Sequence, residues 1–339
     1  MLLLDTLYIN NSGGLVLLNY LVDEIRNAGI SCYFLIDRRN GTDYEFCEDE
    51  PFKLIEPTNS ARKKFYKLNQ KRFNKVLCFG NIPPPIRLDN SLVITYLHQY
   101  FFVDTTHMSL GIKQDFIHWL KQLFIQLLLK NTQEFWVQSK HMKEGIHIKY
   151  SFKKSAIHVL PFYQLDLPQT GNINKIDLNF CYISSGAPHK NHIRLLEAWV
   201  RINQKYPTAT LHLTVDQESY PDLSGIVSKL DGANVINHQV ISRQAVAELF
   251  AKSEYVIYPS LAESFGLGLV ESVSFNCKIL AADYSYTHSS IVPHDTFDPK
   301  SVDSIEACIR RQLSNSNLVN KTEILCENKM EIIIKKLEN

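Results

Sequence analysis

The sequence predicts an α/β protein made of two parallel, doubly wound domains, and three observations carry that prediction. Short apolar runs of strand length alternate with segments of helical period along the whole chain. That order builds parallel sheets covered by helices. The pattern breaks at a polar stretch, residues 164–177, which holds Pro168, Gly171 and several Asn, and then starts again. In each half, apolar runs end in loops that lead into helices, the places where doubly wound folds bind ligands.

In the first half the apolar runs predict strands over residues 2–9, 31–36, 76–79, 92–97, 134–138 and 157–161. The 3.6-residue pattern predicts helices over 14–28, 60–72, 112–130 and 140–149. In the second half strands are expected over 179–184, 210–215, 234–237, 255–259 and 278–282, and helices over 192–205, 243–251, 266–274 and 302–313. Ser242 and Ser301 each stand directly before one of these helices and suit the N-cap position. Residues 319–339 are charged and helix-prone.

A chain of 339 residues is comfortable for two domains. Its 21% charged residues are ordinary for a soluble globular protein, and a net charge of +1 gives no global nucleic-acid signal. The charge is uneven, with a balance of +5 over residues 1–165 and −4 over 166–339. A basic first half fits a face turned toward an anionic surface. The seven cysteines (Cys32, Cys47, Cys78, Cys181, Cys277, Cys308 and Cys326) include no C-x-x-C pair. Their odd count and scatter imply reduced thiols in a cytosolic chain. Met1-Leu2-Leu3-Leu4 is interrupted by Asp5 and lacks a basic flank, so no secretory signal is expected. No apolar run reaches the roughly 18 residues that span a bilayer.

Residues 255–283, YVIYPSLAESFGLGLVESVSFNCKILAAD, are the most informative stretch. They predict a buried strand, a loop, a helix opening at Gly266–Leu267 and a second buried strand. Gly266 and Gly268 leave backbone N–H groups near the helix start open to a ligand, and a helix N-terminus attracts phosphate. Glu263 lies before the helix and Glu271 inside it. An anion site bracketed by two carboxylates suits a nucleotide-sugar, with diphosphate at the helix end and hydroxyl-rich rings against the acids.

The string Glu263-Ser264-Phe265-Gly266-Leu267-Gly268-Leu269-Val270-Glu271, preceded by Tyr258-Pro259-Ser260, resembles the Glu-x7-Glu signature of the retaining GT-B glycosyltransferases of family 4. The resemblance implies a GT-B architecture, two Rossmann-like doubly wound domains facing a central cleft. Residues 1–164 would form the acceptor-side domain, 165–318 the nucleotide-sugar-binding domain and 319–339 a helical tail. It also implies an enzyme, a hexosyl- or related glycosyltransferase. Such an enzyme moves a sugar from a nucleotide-diphosphate donor to a hydroxyl of a glycan or lipid-linked glycan, as in bacterial O-antigen or capsule synthesis. A UDP-sugar is favoured and a GDP-sugar comes next. Two alternatives stand beside it: a nucleotide-sugar epimerase of the same fold, and a non-catalytic glycan-binding homologue.

Four further stretches take roles from the resemblance. Ser184-Ser185-Gly186-Ala187-Pro188-His189-Lys190-Asn191-His192 joins a strand end to a helix and is similar to a Pro-His-Lys-Asn-His variant among surface-polysaccharide glycosyltransferases. Lys190 would meet the leaving diphosphate, and Gly186 and Asn191 would line the donor. Ala187 fills the place where many relatives carry Arg. Asn10-Asn11-Ser12-Gly13-Gly14 follows the first strand; Gly13 and Gly14 would admit the donor phosphate, or simply make the strand-to-helix turn. It is too short for a dinucleotide fingerprint. His98 ends an apolar strand and would contact the donor sugar or orient the acceptor. Val240 and Ile241 would lie against the nucleobase through their backbone.

Glu263, His98 and Lys190 are thus the catalytic candidates. Gly13, Gly14, Gly186, Lys190, Asn191, Val240, Ile241, Ser264, Phe265, Gly266, Leu267, Gly268 and Glu271 are the donor-binding ones. Glu271 would hold the ribose, and Glu263 would sit by the sugar ring. Relatives often carry a further Glu after the next strand, where residues 283–291 hold none. No carboxylate or Cys joins His189 and His192 in a ligand set, so neither a metal nor another cofactor is expected. The basic, aromatic-interleaved run of residues 62–75 would face the inner surface of the cytoplasmic membrane. The protein is therefore expected to be cytoplasmic and peripherally membrane-associated, with no nucleic-acid partner. Residues 116–129, FIHWLKQLFIQLLL, have a wide apolar stripe and a polar line at His118, Gln122 and Gln126, and are expected to pack that stripe into the core.

Overall fold

A computed structural model describes residues 1–9, 12–40, 50–103, 112–165, 167–168, 170–171, 173–230, 232–314 and 321–338. Asn10, Asn11 and Cys47 lie outside them. The chain divides into two units, Met1–Gln164 with Glu327–Asn339, and Leu165–Cys326.

The first unit runs β1 (Leu2–Asp5), α1 (Ser12–Asn27), β2 (Cys32–Asp37), β3 (Phe52–Ile55), α2 (Asn59–Asn69), β4 (Lys75–Cys78), β5 (Leu92–Leu97), α3 (Ile112–Leu128), β6 (Glu134–Val137), α4 (Lys140–Tyr150) and β7 (Ile157–Val159). Its strands pair in the order β3-β2-β1-β4-β5-β6-β7, all parallel. Alternate residues of these strands point to opposite faces. Leu2, Leu4, Phe34, Leu77, Ile94 and Trp136 meet α1 on one face. On the other, Leu3, Leu35, Val76 and Val93 meet Phe65 and Tyr66 of α2, and Leu97, Phe135 and Val137 meet Ile125 of α3 and Ile146 of α4.

Several expectations change here for physical reasons. β1 stops at Asp5, well short of residue 9, because Asp5 enters a buried ion pair and the chain turns at Tyr8 (φ 74°). β3, which the apolar pattern missed, is an edge strand whose first two residues are exposed. The basic run 62–75 is not one solvated face. Arg62, Phe65, Tyr66 and Phe73 are buried, and Lys75 donates from Nζ to the carbonyls of Lys336 (2.7 Å) and Leu337 (3.1 Å). Much of the expected apolar stripe of α3 faces outward, although Ile125 is buried and Gln126 exposed. His118 and Gln122 face inward, with Gln122 Nε2 bonded to the Phe101 carbonyl at 2.7 Å, while Phe116, Trp119, Leu120, Leu123 and Leu127 are exposed.

The second unit runs β8 (Ile176–Tyr182), α5 (His192–Lys205), β9 (Thr210–Leu213), α6 (Pro221–Ser228), β10 (Val235–Asn237), α7 (Arg243–Lys252), β11 (Ser253–Tyr258), α8 (Leu267–Ser274), β12 (Lys278–Ala282), α9 (Ser285–Ser290), β13 (Ile291–Val292), β14 (Asp295–Phe297), α10 (Val302–Ser314) and β15 (Glu323–Ile324). The main sheet has the parallel order β10-β9-β8-β11-β12-β14, and β13 pairs β15 antiparallel. Both Ser caps form: Ser242 Oγ accepts from the Ala245 N–H at 3.2 Å and Ser301 Oγ from the Ser304 N–H at 3.1 Å.

The tail is not one helical piece. Residues 321–326 stay with the second unit through β15, whereas α11 (Met330–Glu338) packs Met330, Ile333 and Leu337 into the α1 side of the first unit. Cys32, Cys78, Cys181, Cys277 and Cys308 are free and buried, and Cys326 is free and half-buried. Among the described residues, no helix is long and apolar enough to cross a membrane.

Candidate functional site

In the second sheet the strand order reverses between β8 and β11, whose following loops flank the switch point where such sheets take ligands. The two loops are tied together. The His189 carbonyl accepts the Leu261 N–H (2.7 Å) and the Ser260 hydroxyl (3.3 Å). Asn191, left-handed at φ 62°, donates both amide hydrogens, to the carbonyls of Pro259 (3.0 Å) and Pro299 (2.7 Å), and accepts from Arg194 at 2.9 Å. Its buried side chain is therefore committed to holding the two loops together.

The tie brings Lys190 and Glu263 together, 2.5 Å from Nζ to Oε1, each with a small exposed remainder of 16% and 13%. The Tyr258 hydroxyl donates to the same carboxylate at 3.2 Å. Burial pushes the Glu263 carboxyl up, but Lys190, His189 and the hydrogen bonds from Lys190 and Ser260 outweigh it, and the group ends below its ordinary range. Glu263 is thus held as a carboxylate. Lys190 has three N–H donors, so one bond to Glu263 leaves capacity for another anion.

α8 opens at Gly266, whose φ of 81° is the left-handed value that glycine adopts without penalty. A glycine cap has no side chain to close the helix end, so the N–H groups of Leu267 and Gly268 at its first turn have no side-chain cap. Phe265 is buried, its carbonyl accepting from Ser290 at 2.6 Å, while Ser264 is half-buried at the rim. Glu271 is buried on this helix and pairs with Arg243 Nη1 at 2.7 Å. Burial raises its pKa and Arg243 only partly offsets this, so the net shift is upward.

The remaining candidates divide. Gly186 has no room for a side chain because a Cβ there would lie 2.6 Å from the Tyr220 ring; its glycine is explained by packing. Val240 is exposed and Ile241 half-exposed, in the loop leading to Ser242 and Arg243. In the first unit, Gly13 and Gly14 fall within the first turn of α1, not in a loop before it, and a Cβ at Gly13 would meet nothing within 4 Å. His98, at the end of β5, is buried and stacked on Phe79, and its Nε2 is 3.1 Å from the Phe79 carbonyl. Burial lowers its pKa to about 4, so it is a neutral imidazole near pH 7.

Arg243 and Tyr258 are the contributors that motif reasoning passed over. Tyr258 was visible as the first residue of Tyr258-Pro259-Ser260. Arg243 carried a weaker signal, a cation directly after an N-cap, and nothing in its local sequence pointed to Glu271 on a helix 28 positions away.

Residues 165–328, a stretch that coincides with the second unit, match the family described as glycosyl transferases group 1. No curated protein matches the chain by sequence. Among solved structures, the chain is similar to sucrose-phosphate synthase from Thermosynechococcus elongatus, with a TM-score of 0.70 and 15% identity over 100% of this chain and 94% of that one. It is similar to Anabaena HepE in complex with UDP-glucose, at 0.70 and 14% over 99% and 96%. It is also similar to WaaG, a glycosyltransferase involved in lipopolysaccharide biosynthesis, at 0.68 and 15% over 99% and 94%. These likenesses show the fold: the chain has the GT-B architecture.

Proposed function

We propose that the protein is a retaining glycosyltransferase that moves a sugar from a nucleotide-diphosphate donor, a UDP-sugar before a GDP-sugar, to a hydroxyl of a glycan or lipid-linked glycan in surface-polysaccharide synthesis. One observation carries the reading. A lysine–carboxylate pair and an uncapped helix start follow neighbouring strands at a switch point, with a second carboxylate inside that helix. The group 1 domain match supports the glycosyl-transfer class.

In this reading the diphosphate rests on the N–H groups at the start of α8 and on the Lys190 ammonium. Bond cleavage places negative charge on the β-phosphate, and these groups stabilise it without reorganising. The reading assigns no metal. Glu263, held ionised by Lys190, faces the positive charge that develops on the sugar ring. Glu271 takes the ribose hydroxyls, with Arg243 orienting its carboxylate, and the backbone of Val240 and Ile241 borders the base. The leaving phosphate accepts the acceptor's proton, so attack proceeds from the face of departure with no enzyme nucleophile. Gly13, Gly14 and His98 are what the first unit offers to donor phosphate, sugar and acceptor. The exposed lysines of α2 support a peripheral association with the inner face of the cytoplasmic membrane.

Thermal-shift measurements against a panel of nucleotide-sugars test the donor assignment, since a ligand that binds only the folded state raises the melting temperature by mass action. A shift with one nucleotide-sugar, lost in Glu271→Gln, is expected. No shift with any of them at millimolar concentration removes the reading.

A further inference from the structure

We propose that α3 is a membrane-inserting element: its outward face enters an anionic bilayer, with the lysines of α2 engaging the headgroups beside it. Phe116, Trp119, Leu120, Leu123 and Leu127 fall at spacings of three, four, seven and eleven residues, which places them on one stripe of a helix. All are exposed, from 39% for Leu123 to 65% for Leu127. The opposite face is buried although it is partly polar. His118 stacks on Phe101 at 4.6 Å, and Gln122 donates to the Phe101 carbonyl. Beside Ile125, α3 thus buries His118 and Gln122 while Trp119, Leu120, Leu123 and Leu127 stay outside with Gln126, which runs against the arrangement water favours. A contiguous exposed apolar stripe of this kind marks an interaction surface.

Charge selects the occupant. α2 and α3 pack on the same face of the first sheet, opposite α1 and α11. α2 exposes Lys63, Lys64 and Lys67, with Lys71 exposed in the turn that follows it, and α3 exposes Lys121, with Lys130 exposed just beyond its end. A second copy meeting this face about a two-fold axis would bring lysine-rich helices against each other. An anionic lipid surface attracts the same lysines while its acyl boundary accepts the stripe, and Trp favours that boundary. The inference deepens the proposed membrane association and moves its apolar anchor from the basic run to α3. It rests on the glycosyltransferase reading only for its purpose.

Co-sedimentation with vesicles of phosphatidylglycerol and phosphatidylcholine in equal parts, against phosphatidylcholine alone, tests it without any sugar present. Of the three tryptophans, Trp136 and Trp199 are buried, so a blue shift of emission on adding anionic vesicles would report Trp119. Binding to anionic vesicles, a blue shift abolished by Trp119→Phe, and at least a tenfold loss of binding in Leu123→Gln/Leu127→Gln with an unchanged melting temperature are expected. Failure of the wild type to sediment at low salt would overturn the inference, as would full binding by the double variant. So would a dimer in sedimentation velocity that the double variant dissociates. A nucleotide-sugar thermal shift on the double variant separates this failure from failure of the donor assignment, since neither leucine belongs to the donor site.

Discussion

Two ion pairs stand in the same α/β design, one joining strand β1 to helix α2 and one joining two loops, and they are built for opposite ends. In the first unit Arg62 and Asp5 are each 1% exposed. Arg62 also donates to the carbonyls of Ile82 and Pro83, and Tyr66 donates to Asp5 at 2.7 Å. In the second unit Lys190 and Glu263 keep an edge open to solvent. The first pair is closed by neighbours of the same chain and serves cohesion. The second is pre-formed but incompletely enclosed, as a site that must admit a substrate requires. Burial and hydrogen-bond saturation, rather than the presence of opposite charges, separate the two.

Breaking the closed pair should have the largest effect. Arg62→Met leaves the Asp5 carboxylate in the core without its cation, and a loss of about 3–5 kcal/mol is expected in urea unfolding. Lys190→Met and Glu263→Gln should instead leave the melting temperature within a few degrees while turnover falls about 100- to 1000-fold. In Lys190→Met the cation that holds Glu263 ionised is gone. The Glu263 pKa then rises, and the acid limb of the residual activity should move to higher pH. Steady-state kinetics across pH checks both points; stability lost with activity unchanged would reverse the contrast between the pairs.

A third measurement sharpens what burial does to a titrating group. His98 is held neutral, with a pKa of about 4 against 6.5 in the open. Between those values the unfolded chain takes up a proton that the folded chain refuses. Stability should therefore fall as pH drops from about 6.5 to about 4, by about 3 kcal/mol at most, and His98→Gln should flatten that slope in urea melts. A smaller effect is expected at the edge of the open site. Arg243→Met should raise the donor KM about tenfold, roughly 1.4 kcal/mol, with kcat little changed. The smallest concerns Gly13, where an added methyl meets nothing on the chain. Gly13→Ala should gain up to about 1 kcal/mol of stability; a drop in activity on top of that gain would place the donor against it.

The alternation of apolar runs and the restart after residue 164 announced both sheets, because parallel strands are buried on two faces and read as continuous apolar segments. What stayed hidden was decided by partners distant in sequence. β14 (DTF) is too short and mixed to read as a strand, and is recruited by β12. The bonds that Asn191 makes to the carbonyls of Pro259 and Pro299 have no trace in its local sequence, since both partners are far along the chain. The helical period of α3 was legible, but its orientation was not, since a wide apolar stripe carries no mark of which side the sheet lies on. Glu263 and Glu271 were legible because seven intervening residues and two glycines constrain a local loop-to-helix junction. Arg243 was not, because its pairing belongs to the tertiary fold.

The docking of α11 ties an early-made part of the chain to a later-made one. Leu2, Leu18 and Phe34 share a cluster with Met330, Ile333 and Leu337, so the body made first lacks one wall until the body made second has been translated. During that interval an oily flank of the nascent chain is uncovered, and a ribosome stalled before residue 330 would hold a half-built product exposed to chaperones and proteases.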